Sequence, residues 1–417
     1  MRRLLAGLLA ALTLGALPAA EANPARVAQF APPLLVAKAH ELRLDQTLKA
    51  AMSTGDFVGL SVAVVRSGEI SFIGSYGETA AGSGERVTPD TVFRIASLSK
   101  GFSSSMAGIA VSEGKLSLDQ RADDIAPELA LPGGAEKALT LAHLMSHRTG
   151  LPPNAYDNLL EDGIAPERIL PMFRKVKAVC PAGGCYAYQN ITFDLSGRAL
   201  ATAYDTAFTD LVAQRLFRPL KMETASYGID GLQGAGSWAR PHTRKRQTDP
   251  ALPPHPWTLM DVKTPYYGTP AAGGVNASIR DMAQWANAQL GHRPDVLPGD
   301  VLSLIHAPLV DTPTETRRMR EVAPGLRASQ YALGWRVYDY AGHRVIVHGG
   351  SVDGYGAHIM FVPERDTGIV VLSNTRAQRV WAIAPMFLEL TFGLPPRDWL
   401  GLEQPAGAGT TPLTDPR

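Results

Sequence analysis

Strand-forming runs are concentrated at the two ends of this chain. Phe57 to Val65 is apolar and rich in valine, Arg66-Ser67-Gly68 marks a turn, and Glu69 to Tyr76 is a second short run. That pattern predicts a β-hairpin. Strand signals return only at Tyr331–Tyr338, Arg344–Val347, His358–Val362 and Gly368–Leu372. The intervening stretch, about 250 residues, reads mainly as helices and loops. Isolated hairpins are marginal in water, so strands so far apart in sequence are expected to share one sheet, with the helical segment inserted between them. A cleft between the two parts is then the natural place for a ligand. Helices are expected over Ala37–Met52 and Thr206–Leu216, after a capping box at Ser278–Asp281, and over Val380–Phe392.

Composition limits the alternatives. Of 417 residues, 45% are hydrophobic and 19% charged, the balance of a chain with a real core rather than a disordered one. Forty basic and 39 acidic residues cancel, which excludes a general nucleic-acid binder. At the N-terminus Arg2 and Arg3 precede an apolar run from Leu4 to Leu17, and Ala20-Glu21-Ala22 offers a small-x-small cleavage site. Residues 1–22 therefore read as a secretory signal peptide. The run falls short of the roughly 20 residues a membrane helix needs, so the expectation is an exported protein, periplasmic or secreted, with no stable membrane insertion after cleavage. The folded domain is expected over residues 23–395, with its α/β part at about 40–95 and 330–395 and its helical part at about 97–329. Residues 396–417, rich in Pro, Gly and Thr from 402 onward, are expected to be a disordered tail. The only two cysteines, Cys180 and Cys185, enclose Pro-Ala-Gly-Gly and in an exported protein read as a disulfide.

Three stretches carry chemistry. In Ser97-Leu98-Ser99-Lys100 a helical pattern begins at Ser97, so Lys100 falls one turn later on the same side and could serve as base to a serine nucleophile. The bland alternative is a capping serine with a surface lysine. Tyr188-Gln189-Asn190 follows the cysteine loop, and His348-Gly349-Gly350-Ser351 ends a strand-like run. Read alone, the first could be an ordinary loop–helix boundary and the second a strand end. His143 and His147 stand at metal-ligand spacing, but Leu144 occupies the position of the zincin glutamate and no third ligand is evident. The run Arg240 to Arg246 is basic, flanked by proline, and reads as a solvated loop.

Taken together, and in this order, the three stretches resemble the S-x-x-K, Y-x-N and K-T-G or H-x-G motifs of the class C β-lactamase and penicillin-binding-protein group. Leu144 to Pro152 is similar to the group's L-x-S-H-x-S-G-L-P signature, with Thr149 at the usual serine. The resemblance covers roughly residues 40–395 and makes His143 and His147 structural. It implies a β-lactamase/transpeptidase-like fold, an antiparallel sheet with flanking helices, and acyl transfer on an ester or amide of a small molecule or peptide, without cofactor or metal. Under that implication Ser97 attacks the carbonyl and Lys100, held neutral, takes its proton. Tyr188 shares the proton relay, and Asn190 holds Lys100 and the substrate amide. The N–H groups of Ser97 and Ser351 form the oxyanion hole, His348 helps hold a substrate carboxylate or the Tyr188 relay, and Gly349 and Gly350 leave room along the strand edge. His348 replaces the K-T-G lysine of efficient class C β-lactamases, which favours a peptidase or esterase over a β-lactamase. A penicillin-recognising sensor domain that acylates without turnover is the alternative from another class.

Overall fold

The computed structural model describes residues 33–248, 252–376 and 379–402. The signal peptide expected at 1–22 and the tail from 403 lie outside the described residues. By contact density the chain divides into two compact units, residues 1–44 and 45–417. The described part of the first is the opening of helix α1 (Pro33–Met52), whose last turns belong to the second.

The centre of the second unit is an eight-stranded sheet, antiparallel at every pairing. The strands are β1 (Gly59–Arg66), β2 (Glu69–Gly77), β3 (Val310–Asp311), β4 (Leu326–Tyr331), β5 (Arg336–Tyr340), β6 (His343–Val352), β7 (Tyr355–Val362) and β8 (Thr367–Ser373), in the spatial order β2-β1-β8-β7-β6-β5-β4-β3. The two ends of the chain meet where β1 pairs with β8, Val62 opposite Val371. The first hairpin closes through Ser67 and Gly68, both at positive φ, as a two-residue turn between twisted strands requires. All seven residues of β8 are buried. Val370 and Leu372 join the main core while Ile369 and Val371, one step out of phase, do not. A strand covered on both faces reads as a continuous apolar run rather than an alternating one.

The expected strand Tyr331–Tyr338 is in fact two, β4 and β5, joined by a tight hairpin at Ala332–Trp335 with Gly334 at φ +73°. The turn is hidden in sequence because Ala332, Leu333 and Trp335 are themselves buried. The middle of the chain supplies helices α2 (Ser99–Ser112), α3 (Ile191–Tyr204) and α4 (Ile279–Gln289), and α5 (Val380–Phe392) follows the sheet. The capping box on α4 forms as expected, Asp281 N–H donating to Ser278 Oγ at 3.2 Å while Ser278 N–H donates to Asp281 at 3.2 Å. Beyond residue 395, Leu400 is buried and Arg397 pairs with Glu389 of α5 at 3.3 Å, so packed chain reaches Leu400. No helix among the described residues is long and apolar enough to cross a membrane.

Candidate active site

Ser97 stands in a tight turn, Ala96–Leu98, between the short strand Val92–Arg94 and α2. The strand is fixed by pairing with Val275–Ser278. Ala96 holds φ +49°, a left-handed conformation that costs a residue with a Cβ and persists only where its surroundings enforce it. Those surroundings are visible. Ser99 Oγ donates to the Ala96 carbonyl at 2.6 Å and accepts from Val275 N–H at 3.0 Å. The N-cap of α2 is Leu98, not Ser97, so the bland reading of Ser97 as a capping serine is not what the fold uses. Along α2, Ser103 Oγ donates to the Ala271 carbonyl at 2.6 Å and Ser104 to that of Leu333. Buried serines thus tie this helix to its neighbours on several sides.

Lys100 is fully buried. Its Nζ lies 2.7 Å from Asn190 Oδ1, 3.0 Å from the Ala272 carbonyl and 3.3 Å from Ser97 Oγ. Burial, partly opposed by the negative charges of Asp157 and Asp194 and aided by Arg336, pushes its pKa down to about 7. An ammonium would donate to all three oxygens. A neutral amine keeps two N–H bonds, which Asn190 and Ala272 take, so its lone pair is left for the hydroxyl hydrogen of Ser97. The arrangement can therefore draw a proton from Ser97 near neutral pH.

The supports of this pair come from three further elements. Asn190 precedes α3 and donates from Nδ2 to Asp157 Oδ2 at 2.7 Å. Asp194, one turn into α3, accepts from the N–H groups of Ala271 and Ala272 at 2.7 and 3.3 Å, which fixes the Ala272 carbonyl that faces Lys100. Burial raises the Asp194 carboxyl to about 7 and that of Asp157 above its ordinary range. The ring of Tyr188 lies 4.7 Å from Lys100 Nζ. Beneath it Arg336, from β5, is buried against Glu315 at 2.8 Å.

On the other side Gly350 of β6 presses against the serine turn. A Cβ there would sit 2.3 Å from the Ile95 carbonyl and 3.2 Å from the Ser97 nitrogen, so only glycine admits this approach. Gly349 and Ser351 flank it and line the same cleft as Ser97. His348 is buried and takes part in a directed chain of hydrogen bonds. Gln189 N–H donates to His147 Nδ1 at 3.1 Å, so His147 carries its proton on Nε2 and donates to Tyr331 Oη at 3.1 Å. Tyr331 then donates to His348 Nε2 at 3.1 Å, and His348 Nδ1–H to the Gly349 carbonyl at 2.7 Å. Desolvation, with Arg336 and Lys100 nearby, holds His348 well below its usual range. Burial thus favours the neutral imidazole, and both ring nitrogens of His348 are engaged within the protein.

His143 and His147 face different partners. His143 Nδ1 closes the capping box of the short helix after Thr140, and among the described residues no group of His, Cys, Asp or Glu is arranged to hold a metal. Cys180 and Cys185 are bonded, and their loop pairs with the 147–150 segment through Gly183 N–H to the Arg148 carbonyl at 2.7 Å and Val179 N–H to that of Gly150 at 2.9 Å. The basic run is solvated at Lys245 and Arg246, which are exposed, and Arg244, Lys245 and Arg246 also line the cleft, whose volume is about 1180 Å³. The structure thus brings Ser97, Tyr188, Asn190, His348, Gly349 and Ser351 to one cleft, with Lys100 hydrogen-bonded behind Ser97 and Gly350 packed against the serine turn. Asp157, Asp194, Tyr331 and Arg336 were not singled out from sequence. Arg336, a charge inside a strand-like run, was the one visible signal.

The chain is similar to several known proteins. A family model described as Beta-lactamase matches residues 44–388. The unguisins hydrolase ungD′ of Aspergillus campestris is 25% identical over 79% of this chain and 61% of its own length. Protein flp of Staphylococcus aureus is 22% identical over 81% of this chain and 64% of its own. The chain thus spans less than two thirds of these relatives. A β-lactamase of Pseudomonas fluorescens is 23% identical over 81% of this chain and 95% of its own. Among solved structures, the octameric penicillin-binding protein homologue from Pyrococcus abyssi superposes with a TM-score of 0.74 at 21% identity, over 86% of this chain and 79% of that one. A class C β-lactamase does so at 0.65 and 22%, over 84% and 97%. These likenesses identify the fold, β-lactamase/transpeptidase-like.

Proposed function

The chain belongs to the Beta-lactamase family, and from that premise we propose that it is an exported serine hydrolase that cleaves an ester or amide through an acyl-enzyme. The observation that carries the proposal is the contact of Ser97 with a buried lysine whose pKa is brought down to about 7. In this reading Ser97 Oγ attacks the substrate carbonyl and its proton passes to Lys100 Nζ. The resulting oxyanion is held by the N–H groups of Ser97 and Ser351, which the close approach of Gly350 brings near one another. Tyr188, whose ring lies beside Lys100, gives its hydroxyl proton to the leaving group and is reprotonated by Lys100. Water then attacks the acyl-enzyme, activated by the same pair, and Ser97 is regenerated. Asn190 and Asp194 act as positioning residues, the first on Lys100 and the second on the Ala272 carbonyl.

Within this class a peptidase or esterase is favoured over a β-lactamase, because His348 is neutral where efficient class C enzymes carry a lysine charge. The Cys180–Cys185 bond supports an oxidising compartment and therefore export. Nitrophenyl esters, D-amino-acid anilides and nitrocefin, assayed side by side with wild type and Ser97→Ala, test the reading. Continuous release of product that disappears in Ser97→Ala is expected. A single burst without continued release would assign a binding domain instead, and equal turnover in the mutant would overturn the nucleophile.

A further inference from the structure

The cleft runs on past the serine, and its outer end is basic. Strand β6, whose Gly349 and Ser351 line the cleft beside Ser97, continues to a turn at Asp353-Gly354. A Cβ on Gly354 would lie 2.7 Å from the His242 nitrogen, so the segment after His242 is held against that turn. His242 Nδ1 also lies 3.2 Å from the Asn374 carbonyl just after β8. From this anchor Arg244, Lys245 and Arg246 lead along the cleft wall.

Part of this wall is built rather than merely charged. Arg244 and Arg379 donate to different oxygens of one carboxylate, Asp56, and all three side chains are only 16–21% exposed. Arg244 also donates to the Gly55 carbonyl at 3.1 Å and lies 4.4 Å above the Trp257 ring, while Trp257 Nε1–H donates to the same carbonyl at 2.9 Å. Among the described residues, two guanidinium groups share this one carboxylate, which leaves a net positive charge there, fixed in place by stacking and hydrogen bonds. Exposed Lys245 and Arg246 follow directly. An ordered guanidinium with donors to spare is suited to a planar carboxylate, and the low exposure limits screening by salt.

We propose that this outer wall is a subsite for a carboxylate carried by the substrate away from its scissile carbonyl, and so that the preferred substrates are esters or amides with a pendant acid group. The inference rests on the hydrolase reading above. Its test uses p-nitrophenyl monoesters of dicarboxylic acids, succinate through suberate, each matched with the corresponding methyl ester. The ratio of kcat/KM for acid over methyl ester is measured in wild type and in Arg244→Gln/Lys245→Ala/Arg246→Ala. Wild type should favour the acid at one or more chain lengths, by about tenfold, and the triple variant should abolish most of that preference. A wild-type ratio of one or below at every length, or a ratio untouched by the substitutions, overturns the subsite. Calorimetric binding of the same monoesters to Ser97→Ala separates the two readings. Acid-selective binding lost in the Ser97→Ala protein that also carries the triple substitution would uphold the subsite even if no ester turned over, in which case only the hydrolase reading falls.

Discussion

Replacing Asp157 by Asn should move the acid limb of the pH–rate profile to lower pH. The carboxylate reaches Lys100 through Asn190, by two hydrogen bonds of 2.7 Å each with one amide group between. Asparagine keeps an acceptor for Asn190 Nδ2 and deletes only the charge. Charges separated by about 7 Å in a medium of effective dielectric ~20 interact by roughly 2 kcal/mol, which corresponds to roughly 1.5 pH units at most. The sign follows from the group involved. Asp157 stabilises the ammonium, so its removal favours the free amine and populates the base at lower pH. The limb in kcat/KM, set by Lys100 at about 7 in the parent, should therefore fall, by roughly one unit. A nitrophenyl ester assayed across the acidic and neutral range reads this directly through the pKa of the free enzyme. A limb that stays in place or rises would refute Lys100 as the titrating base.

Other consequences concern the scaffold. Gly350→Ala places a Cβ against the Ile95 carbonyl and should lower kcat by about 100-fold through displacement of the serine turn, with the circular-dichroism spectrum unchanged; a fully active variant would contradict the account of that contact. Glu315→Gln removes the negative charge that faces the buried guanidinium of Arg336, which is 5% exposed, and should cost about 3 kcal/mol in urea unfolding. Replacing both Cys180 and Cys185 by Ser opens a short loop and should cost about 2 kcal/mol, a loss far beyond which would mean that the bond supports more than its own segment.

Much of the architecture was legible because long apolar runs at both ends of the chain have few ways to be buried other than in one shared sheet. The division of Tyr331–Tyr338 into β4 and β5 was not, since the turn at Gly334 is built from buried residues and carries none of the polar signals that usually mark a reversal. The order of Ser97, Lys100, Tyr188, Asn190 and His348 located the cleft. The groups that tune it escaped notice for a different reason. Asp157 and Asp194 matter because folding buries them beside Lys100, and nothing in their flanking residues distinguishes them from surface acids. His348 shows the reverse. Its place at the cleft was visible, but its neutrality depends on burial and on Tyr331, which only the fold supplies.

The central claim is that Ser97 is acylated with Lys100 as its base. Mass spectrometry of peptides from protein quenched during turnover of a nitrophenyl ester tests it most directly. The account predicts an acyl adduct on the peptide containing Ser97, absent from Ser97→Ala and slow to form in Lys100→Met. An adduct on another residue, or turnover that continues in Ser97→Ala, would contradict it.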